Sequence, residues 1–260
     1  KFDSQNLYTN RFSHLMAYLF RSKSIENSLY SFQMEGRDWM LSEDNRILAD
    51  DMGLGKTLEA ISLILSRPVK RTLLVVPANL IEQWLGEFDK FAPGLTVFTH
   101  QTGFSDEDST GEGHPFIYIS SYIRAIRSDF IRGLKWNRVI LDEAHYIRNP
   151  KGVVHKNIIS IKAKYRWALT GTPIQNYYTD LVSIFDYLGI HLDEDIRCRE
   201  EKLEEIKGLA DTYILRRTKE GLKFPMPPIE ISTLKVEHKT LYEKMFYKKL
   251  EQNEFLRAEF

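Results

Sequence analysis

Cysteine is nearly absent from the 260-residue sequence, which contains only Cys198. A single cysteine cannot form an internal disulfide or a cysteine-based zinc site, and this scarcity fits an intracellular, reducing compartment rather than secretion. Long apolar runs are lacking too, because residues 15–20 fall far short of the roughly 20 residues that a membrane-spanning helix needs. We therefore expect neither a disulfide scaffold nor a membrane protein.

Net charge is also lacking, because 36 basic residues balance 36 acidic ones. This balance argues against wholesale electrostatic wrapping of nucleic acid, although it allows a local basic patch. The hydrophobic content of 43% is ordinary for a globular chain, and the length suits one large domain or two small ones. Because the sequence begins at Lys1 rather than at methionine, we expect a piece of a longer protein.

The stretch with the clearest chemistry is residues 47–57, which read I-L-A-D-D-M-G-L-G-K-T. A short apolar strand, a glycine-bearing loop, a Lys-Thr pair and a helix opening at Lys56 form the pattern of a phosphate-binding loop. Glycines let backbone amides face an anion, and the helix N-terminus adds partial positive charge. In such a loop Lys56 would hold the terminal phosphates and the Thr57 hydroxyl would ligate magnesium.

One position departs from the generic pattern G-x-x-x-x-G-K-[ST], because Asp50 occupies the first glycine position. A lone G-K-T also occurs by chance, so the alternative is a glycine turn before an ordinary helix. Asp142 and Glu143, directly after an apolar strand, favour a nucleotide site over that alternative. Such an aspartate holds magnesium and such a glutamate polarises the attacking water, whereas adjacent carboxylates without a cation are costly. The alternative for this pair is an acidic strand end on the surface.

Apolar runs alternate with segments of helical periodicity, which predicts an open, doubly wound α/β sheet with functional residues at the strand ends. The predicted strands are residues 47–49, 73–76, 95–99, 116–119, 136–141 and 165–169. Helices are expected over residues 12–19, from Lys56 onward, and over residues 80–88, 123–126, 153–161 and 181–188. The acidic, glycine-bearing residues 103–114 are expected to form a mobile loop.

The composition changes after Gly189. Residues 193–208 are rich in charge and predicted helical, and the F-P-M-P-P of residues 224–228 is typical of a rigid linker. A strand is compatible with residues 229–236. The helix predicted over residues 239–260 places Tyr242, Phe246 and Leu250 on one stripe, which needs a partner surface.

Five motifs occur in a fixed order: D-D-M-G-L-G-K-T, L-L-V-V-P-A-N-L-I-E-Q-W, L-D-E-A-H-Y-I-R-N, A-L-T-G-T-P-I-Q-N and I-L-R-R-T-K. From Leu29 onward the chain resembles the Swi/Snf-type DNA-dependent ATPases of helicase superfamily two. The resemblance implies one RecA-like lobe with a doubly wound, mostly parallel sheet, an N-terminal flanking helix and a C-terminal helical linker. The implied boundaries are residues 1–28, 29–222 and 223–260.

The resemblance also implies a set of site residues. ATP binding is implied for Phe32, Gln33, Asp51, Met52, Gly53, Leu54, Gly55, Lys56 and Thr57. Catalysis is implied for Lys56, Asp142 and Glu143, with Thr57 and Asp142 as ligands of Mg²⁺. A glutamine amide such as that of Gln33 suits the N6/N7 edge of adenine, although a surface glutamine on a helix would be the alternative if it stood alone.

Contacts with DNA and coupling between sites are implied at other strand ends. The segments at residues 77–79 and 120–122 would face the phosphates of one DNA strand, using backbone amides at helix starts. The candidate residues in these segments are Pro77, Asn79, Ser121 and Tyr122. Coupling of the nucleotide site to DNA is implied for His145, Thr170, Thr172, Gln175 and Asn176. For His145 we expect a hydrogen bond to the threonine hydroxyls.

Four positions depart from the family pattern, and none removes a catalytic group. Asp51 stands where glutamate is common, Tyr146 where arginine is common, Ser31 where proline is usual and Phe32 where tyrosine is usual. The family's second lobe supplies arginine fingers worth ~10³ to 10⁵ in rate. We expect that lobe after Phe260, so these residues alone should bind ATP weakly and hydrolyse it slowly.

Three functions compete. The leading hypothesis is an ATP-driven translocase on duplex DNA of the chromatin-remodelling type, with ATP and Mg²⁺ as cofactors. Its implied partners are duplex DNA, a second RecA-like lobe, and a nucleosome or another DNA-bound protein, in the nucleus if the protein is eukaryotic or viral and otherwise in the cytoplasm. The alternatives are an RNA helicase of the DEAH kind and an ATP-binding scaffold without turnover.

Overall fold

The computed structural model of the chain describes residues 25–102, 115–173, 178–192, 200–223 and 240–251. The described residues up to Lys223 belong to one compact unit, and those after Phe224 belong to a second. Several predictions lie outside the described residues: the N-terminal helix, the loop at 103–114, the proline-rich linker, the strand at 229–236, and the residues Gln175, Asn176 and Cys198.

A seven-stranded sheet forms the centre of the first unit, in the order β3-β4-β2-β5-β6-β1-β7. Every neighbouring pair of strands is parallel. The strands are β1 (Asn45–Leu48), β2 (Arg71–Val76), β3 (Thr96–Phe98), β4 (Phe116–Ser121), β5 (Trp136–Leu141), β6 (Ala163–Leu169) and β7 (Ile214–Leu215). The predicted doubly wound sheet is confirmed, and β7 is an addition that the sequence analysis did not predict.

The side chains of β2 are buried on both faces of the sheet, which explains why its sequence is a continuous apolar run. Leu73 and Val75 join the core on one face of the sheet, whereas Leu74 and Val76 join the core on the other face. Successive side chains of a strand point to opposite faces, so a strand covered on both sides needs apolar residues at every position. Neither face of the central sheet is therefore left to water.

Helices cover both faces. The helices are α1 (Ser31–Leu41), α2 (Lys56–Ser66), α3 (Ile81–Phe91), α4 (Tyr122–Arg127), α5 (Asp129–Gly133), α6 (Val153–Ser160), α7 (Tyr178–Tyr187), α8 (Glu200–Tyr213) and α9 (Leu241–Glu251). The first three contribute buried side chains to one core, and α4 to α8 contribute to the other. Among the described helices, none combines the length and the apolar character that crossing a bilayer requires.

Helix starts follow β2 and β4 directly, as predicted, but they differ in form. After β2 the chain makes a 3₁₀ turn at Ala78–Leu80, and α3 begins only at Ile81. After β4 the hydroxyl of Ser121 accepts a hydrogen bond of 3.3 Å from the backbone N–H of Arg124 and caps α4. Both segments lie at the carboxyl ends of parallel strands, where open α/β sheets bind ligands.

The helix α9 belongs to the second unit. Its exposed apolar side chains include Tyr242 and Phe246 of the predicted stripe. Thr240 and Glu243 cap its start reciprocally, since each side chain accepts a 3.2 Å hydrogen bond from the other's backbone N–H. That this stripe needs a partner surface stays a prediction.

Replacing Ile140 tests the two-sided core. Ile140 in β5 is 0% exposed, so Ile140→Ala should lower the free energy of unfolding by about 2–5 kcal/mol through lost contacts and an unfilled cavity. Ile123 is 59% exposed, so Ile123→Ala should change that free energy by less than about 0.5 kcal/mol. Urea unfolding followed by circular dichroism measures both, and equal losses would contradict the assigned burial.

Candidate nucleotide-binding site

The loop between β1 and α2 has the backbone that a phosphate-binding loop needs. Gly53 and Gly55 have φ angles of 84° and 82°, in the left-handed region that favours glycine. A Cβ on Gly55 would also lie 2.4 Å from Nε2 of Gln33. Both conformation and space therefore require glycine at this position, immediately before Lys56.

Gln33 is buried and bound to that loop. Its Nε2 donates a 2.9 Å hydrogen bond to the carbonyl of Leu54, and its Oε1 accepts one of 2.9 Å from the backbone N–H of Tyr30. A primary amide has two donor and two acceptor positions, so these two bonds leave one of each for an adenine edge. The structure thus gives Gln33 a role in shaping the loop, and its contact with adenine stays a prediction.

Lys56 folds back over the loop from the first residue of α2. Its Nζ donates hydrogen bonds to the carbonyls of Asp50 at 2.6 Å and Asp51 at 3.2 Å. Burial lowers the pKa of Lys56, and the charges of Glu143, Asp50, Asp142 and Asp51 act in the opposite direction. The ammonium group therefore lies near the predicted acidic pair and is held by backbone carbonyls, a setting in which an anionic ligand would be favourable.

The acidic pair follows β5, two strands away from β1 in the sheet. Asp142 is only 7% exposed, and burial raises its pKa to about 6. Its two oxygens accept one hydrogen bond each, Oδ2 from Nε1 of Trp84 at 2.8 Å and Oδ1 from the backbone N–H of Glu143 at 3.0 Å. Trp84 was not among the predicted site residues, because it lies 58 positions earlier in the sequence.

Glu143 has an unusual backbone for a non-glycine residue, with φ 51° and ψ 55°. Such conformations cost free energy and cluster at functional sites. Its Oε2 lies 3.1 Å from Nδ1 of His145, although the two atoms are not aligned for a hydrogen bond. Glu143 therefore keeps acceptor capacity for a water or a ligand.

The loop after β6 also reaches the phosphate loop. A Cβ on Gly171 would lie 3.0 Å from Cγ of Met52 and 3.7 Å from Nζ of Lys56. Thr170 is buried, and its hydroxyl accepts a 3.2 Å hydrogen bond from the backbone N–H of Thr172. The contact found for His145 is with Glu143, so its coupling to the threonines stays a prediction.

The predicted DNA-contacting residues lie at the same edge but differ in exposure. Asn79 is exposed and Pro77 is buried, whereas Ser121 uses its hydroxyl to cap α4. Tyr122 is buried, donates its hydroxyl to the carbonyl of Asp142 at 2.8 Å, and stacks on the exposed Tyr146 with ring centroids 5.0 Å apart. For Tyr122 only the backbone remains as a contact for DNA.

Arg217 binds two buried acidic residues beside the loop, a contact that the sequence did not predict. Asp50 and Glu59 are 0% and 1% exposed, and both accept hydrogen bonds from its guanidinium. Its Nε lies 3.0 Å from each oxygen of Asp50, and its terminal nitrogens reach Glu59 and the carbonyl of Phe32. The departure from the glycine pattern thus has a physical reason, because Asp50 is the buried acceptor for this partly buried cation.

The neighbours of Arg217 contact the same loop, and we call residues 214–219 the clamp segment. β7 pairs with β1, and Asp51 donates its backbone N–H to the carbonyl of Arg217 at 3.0 Å. Arg216 donates to the carbonyl of Gly171 at 3.1 Å, and Lys219 donates its backbone N–H to Asp51 at 3.2 Å. The I-L-R-R-T-K motif signalled this segment but not what it would contact.

Glu59 and Asp50 share the guanidinium of Arg217, so the negative charge of Glu59 is not fully balanced. Burial raises the pKa of Glu59 to about 8, and the nearby charge of Arg217 opposes that rise without cancelling it. Removing a carboxylate from water is expensive, and one arginine serves two buried acids here. The pKa of Glu59 therefore lies above its usual range in the folded protein.

Divalent cations fit the donor set at the other end of the loop. Thr57 is the second residue of α2 and half-buried, and Asp142 has one unused acceptor position on each oxygen. No cluster of three His, Cys, Asp or Glu side chains in the described ranges could hold a metal ion alone. Sites that use few protein ligands together with phosphates and water are typical of Mg²⁺.

Comparison with known sequences gives one family. Residues 32–259 match the family model described as the SNF2-related domain. An uncharacterized ATP-dependent helicase of Mycoplasma genitalium is 34% identical over 242 residues, covering 84% of this chain and 24% of that protein. The ATP-dependent helicase fft1 of Schizosaccharomyces pombe is 30% identical over 239 residues, a match that covers 77% of this chain and 25% of that protein. The chain spans about a quarter of the length of these curated relatives.

Comparison with solved structures agrees. The SWI2/SNF2 ATPase core of Sulfolobus solfataricus, solved in complex with double-stranded DNA, matches with a TM-score of 0.63 and 31% identity. The match covers 74% of this chain and 44% of that chain. A second structure of that core domain gives a TM-score of 0.61 over 72% of this chain. These likenesses confirm the predicted RecA-like architecture.

Replacing Arg217 tests the clamp segment. Arg217→Ala leaves the buried carboxylate of Asp50 without its cation, so we expect a loss of about 3–5 kcal/mol in the free energy of unfolding. Lys207 pairs with Glu204 at 2.6 Å on the exposed face of α8, where solvent screens the pair, so Lys207→Ala should leave that free energy close to the wild-type value. Urea unfolding compares the two variants, and similar small losses would refute the assigned role of Arg217.

Replacing Glu59 tests its raised pKa. Between about pH 4.5 and about pH 8 the folded state binds this proton more tightly than the unfolded state, so wild-type stability should fall as pH rises through that window. Glu59→Gln removes the ionisation and should flatten this decline. Unfolding curves at several pH values measure the slope, with exposed Glu205→Gln as control. A slope unchanged by Glu59→Gln would contradict the shift.

Proposed function

The chain belongs to the SNF2-related domain family, and we propose that it is the ATP-binding lobe of a motor that hydrolyses ATP and moves along duplex DNA. The observation that carries this proposal is the position of Lys56, which lies close enough to Asp142 and Glu143 for their charges to interact. A cation from one strand end and two carboxylates from another are the groups that a phosphate-loop ATPase brings together.

In this proposal the amides of the loop at residues 53–57 and the ammonium of Lys56 bind the phosphates, with Gln33 and Phe32 beside the base. Thr57 and Asp142 hold Mg²⁺, which when bound neutralises charge on the phosphate oxygens. Glu143 orients the attacking water, since its carboxylate keeps acceptor positions beyond the 3.1 Å contact of Oε2 with Nδ1 of His145. Asp51, Met52 and Leu54 complete the loop.

Duplex DNA is the proposed track. The segments after β2 and β4 each lead into a helical turn at the same edge of the sheet, and the free backbone amides of helix starts contact phosphates without reading sequence. The related Sulfolobus core was solved with double-stranded DNA, which supports duplex DNA over RNA. The proposed protein partner is a nucleosome or another DNA-bound protein. The nucleus is the proposed location if the protein is eukaryotic or viral, and the cytoplasm otherwise.

A second RecA-like lobe is part of the proposal. The chain covers 44% of the Sulfolobus core, which leaves more than half of that core unmatched. We propose residues 29–222 as the first lobe, residues 1–28 as its flanking segment, and residues 223–260 as the linker toward the second lobe. Closure of the two lobes around ATP would add the arginine fingers that this lobe lacks, so hydrolysis should need both.

The experiment is an ATPase assay of the full-length protein with Glu143→Gln. Wild-type turnover should rise with duplex DNA more than with single-stranded RNA, and Glu143→Gln should reduce it at least about 10²-fold while ATP still binds. Glu205→Gln, an exposed change on α8, is the control that keeps wild-type turnover. Stimulation by RNA alone would favour a helicase of the DEAH kind, and turnover that is absent or unaffected by Glu143→Gln would favour the scaffold.

A further inference from the structure

Trp84 reaches the proposed metal site from a different element of the fold. It lies on α3, is 1% exposed, and donates its indole N–H to Oδ2 of Asp142 at 2.8 Å. From this geometry, and resting on the function proposed above, we infer that Trp84 is a positioning residue that orients the carboxylate of Asp142 for a divalent cation. Nothing in the phosphate-loop or acidic-pair motifs themselves assigns it this role.

The carboxylate of Asp142 has a limited number of acceptor positions. An ionised carboxylate has about four lone-pair positions, two on each oxygen. Trp84 occupies one on Oδ2, and the backbone N–H of Glu143 occupies one on Oδ1. Two donors, one on each oxygen, fix the rotation of the carboxylate about its terminal bond, so the remaining position on each oxygen points in a defined direction.

Groups that orient a metal ligand contribute to metal affinity although they never touch the metal. Loss of such a hydrogen bond typically weakens metal binding about 10–100-fold. The N–H of Trp84 suits this task because its ring is fixed by packing, including Phe88 with ring centroids 6.0 Å apart. A rigid donor holds a carboxylate more firmly than a flexible side chain would.

A purely structural role is the competing explanation, since a buried indole N–H needs an acceptor in any case. The chain offers a matched control for it. Trp136 is also 1% exposed, and its indole N–H donates to the carbonyl of Ile131 at 2.9 Å, away from the acidic pair. Trp84→Phe and Trp136→Phe therefore each remove one buried indole hydrogen bond and one ring nitrogen, and only the first affects Asp142.

The test is the Mg²⁺ dependence of nucleotide binding, measured by the fluorescence of a labelled ATP analogue with the full-length protein. Trp84→Phe should raise the Mg²⁺ concentration at half-effect about 10-fold, while affinity in EDTA stays at the wild-type value. Trp136→Phe should leave both quantities unchanged. If Trp84→Phe gives the wild-type Mg²⁺ dependence, or if both variants shift it equally, the inference is overturned. A wild type that binds no nucleotide would overturn the proposed function instead.

A second measurement needs no change at Trp84, which matters if the variant does not fold. The indole ¹⁵N–H resonance of Trp84 can be assigned with Phe variants at the other three tryptophans of this chain and at any tryptophan outside it. Adding Mg²⁺ to the nucleotide-bound protein should shift the resonance of Trp84 and leave that of Trp136 in place. A Trp84 resonance that does not respond to Mg²⁺ would overturn the inference.

Discussion

The buried contact between Arg217 and Asp50 is the interaction on which the rest of the site depends. It replaces the first glycine of the usual phosphate-loop pattern with a charged side chain, which only a fully paired environment can tolerate at 0% exposure. The same guanidinium also reaches Glu59 on α2 and the carbonyl of Phe32 on α1. One side chain therefore joins two helices and the strand-to-helix loop that they flank.

The electrostatics of the site follow from where parallel strands end. Acidic groups at the ends of β1 and β5 surround Lys56, and burial acts on both signs of charge by lowering the pKa of the lysine and raising that of Asp142. Each shift reports a charge that the protein alone solvates poorly. The proposed ligand carries negative phosphates together with a divalent cation, so it would supply a counter-charge to both groups.

Much of the fold could be predicted because its signals are local. Continuous apolar runs identified β2 and β5, and the glycines before Lys56 identified the loop, since each pattern lies within a few consecutive residues. β7 was missed because Ile214–Leu215 is only a two-residue strand, defined by its pairing with β1. Trp84 and Arg217 were missed as site residues because their partners lie 58 and 167 positions away in the sequence. Both residues lie within the recognised motifs, but the order of the motifs does not predict which residues they contact. The hydrogen bond from the Tyr122 hydroxyl to the carbonyl of Asp142 was missed for the same reason.

The clamp segment has a mechanical consequence. The chain passes from β7 through Arg217 and Lys219 to Lys223, where the first compact unit ends. A pull on the polypeptide beyond that point would load the backbone hydrogen bonds between β7 and β1 and the hydrogen bonds of the Arg217 guanidinium before it reached the interior of the sheet. Tension along the chain would therefore reach the phosphate loop through the hydrogen bonds of the clamp segment, in whichever direction the force is generated.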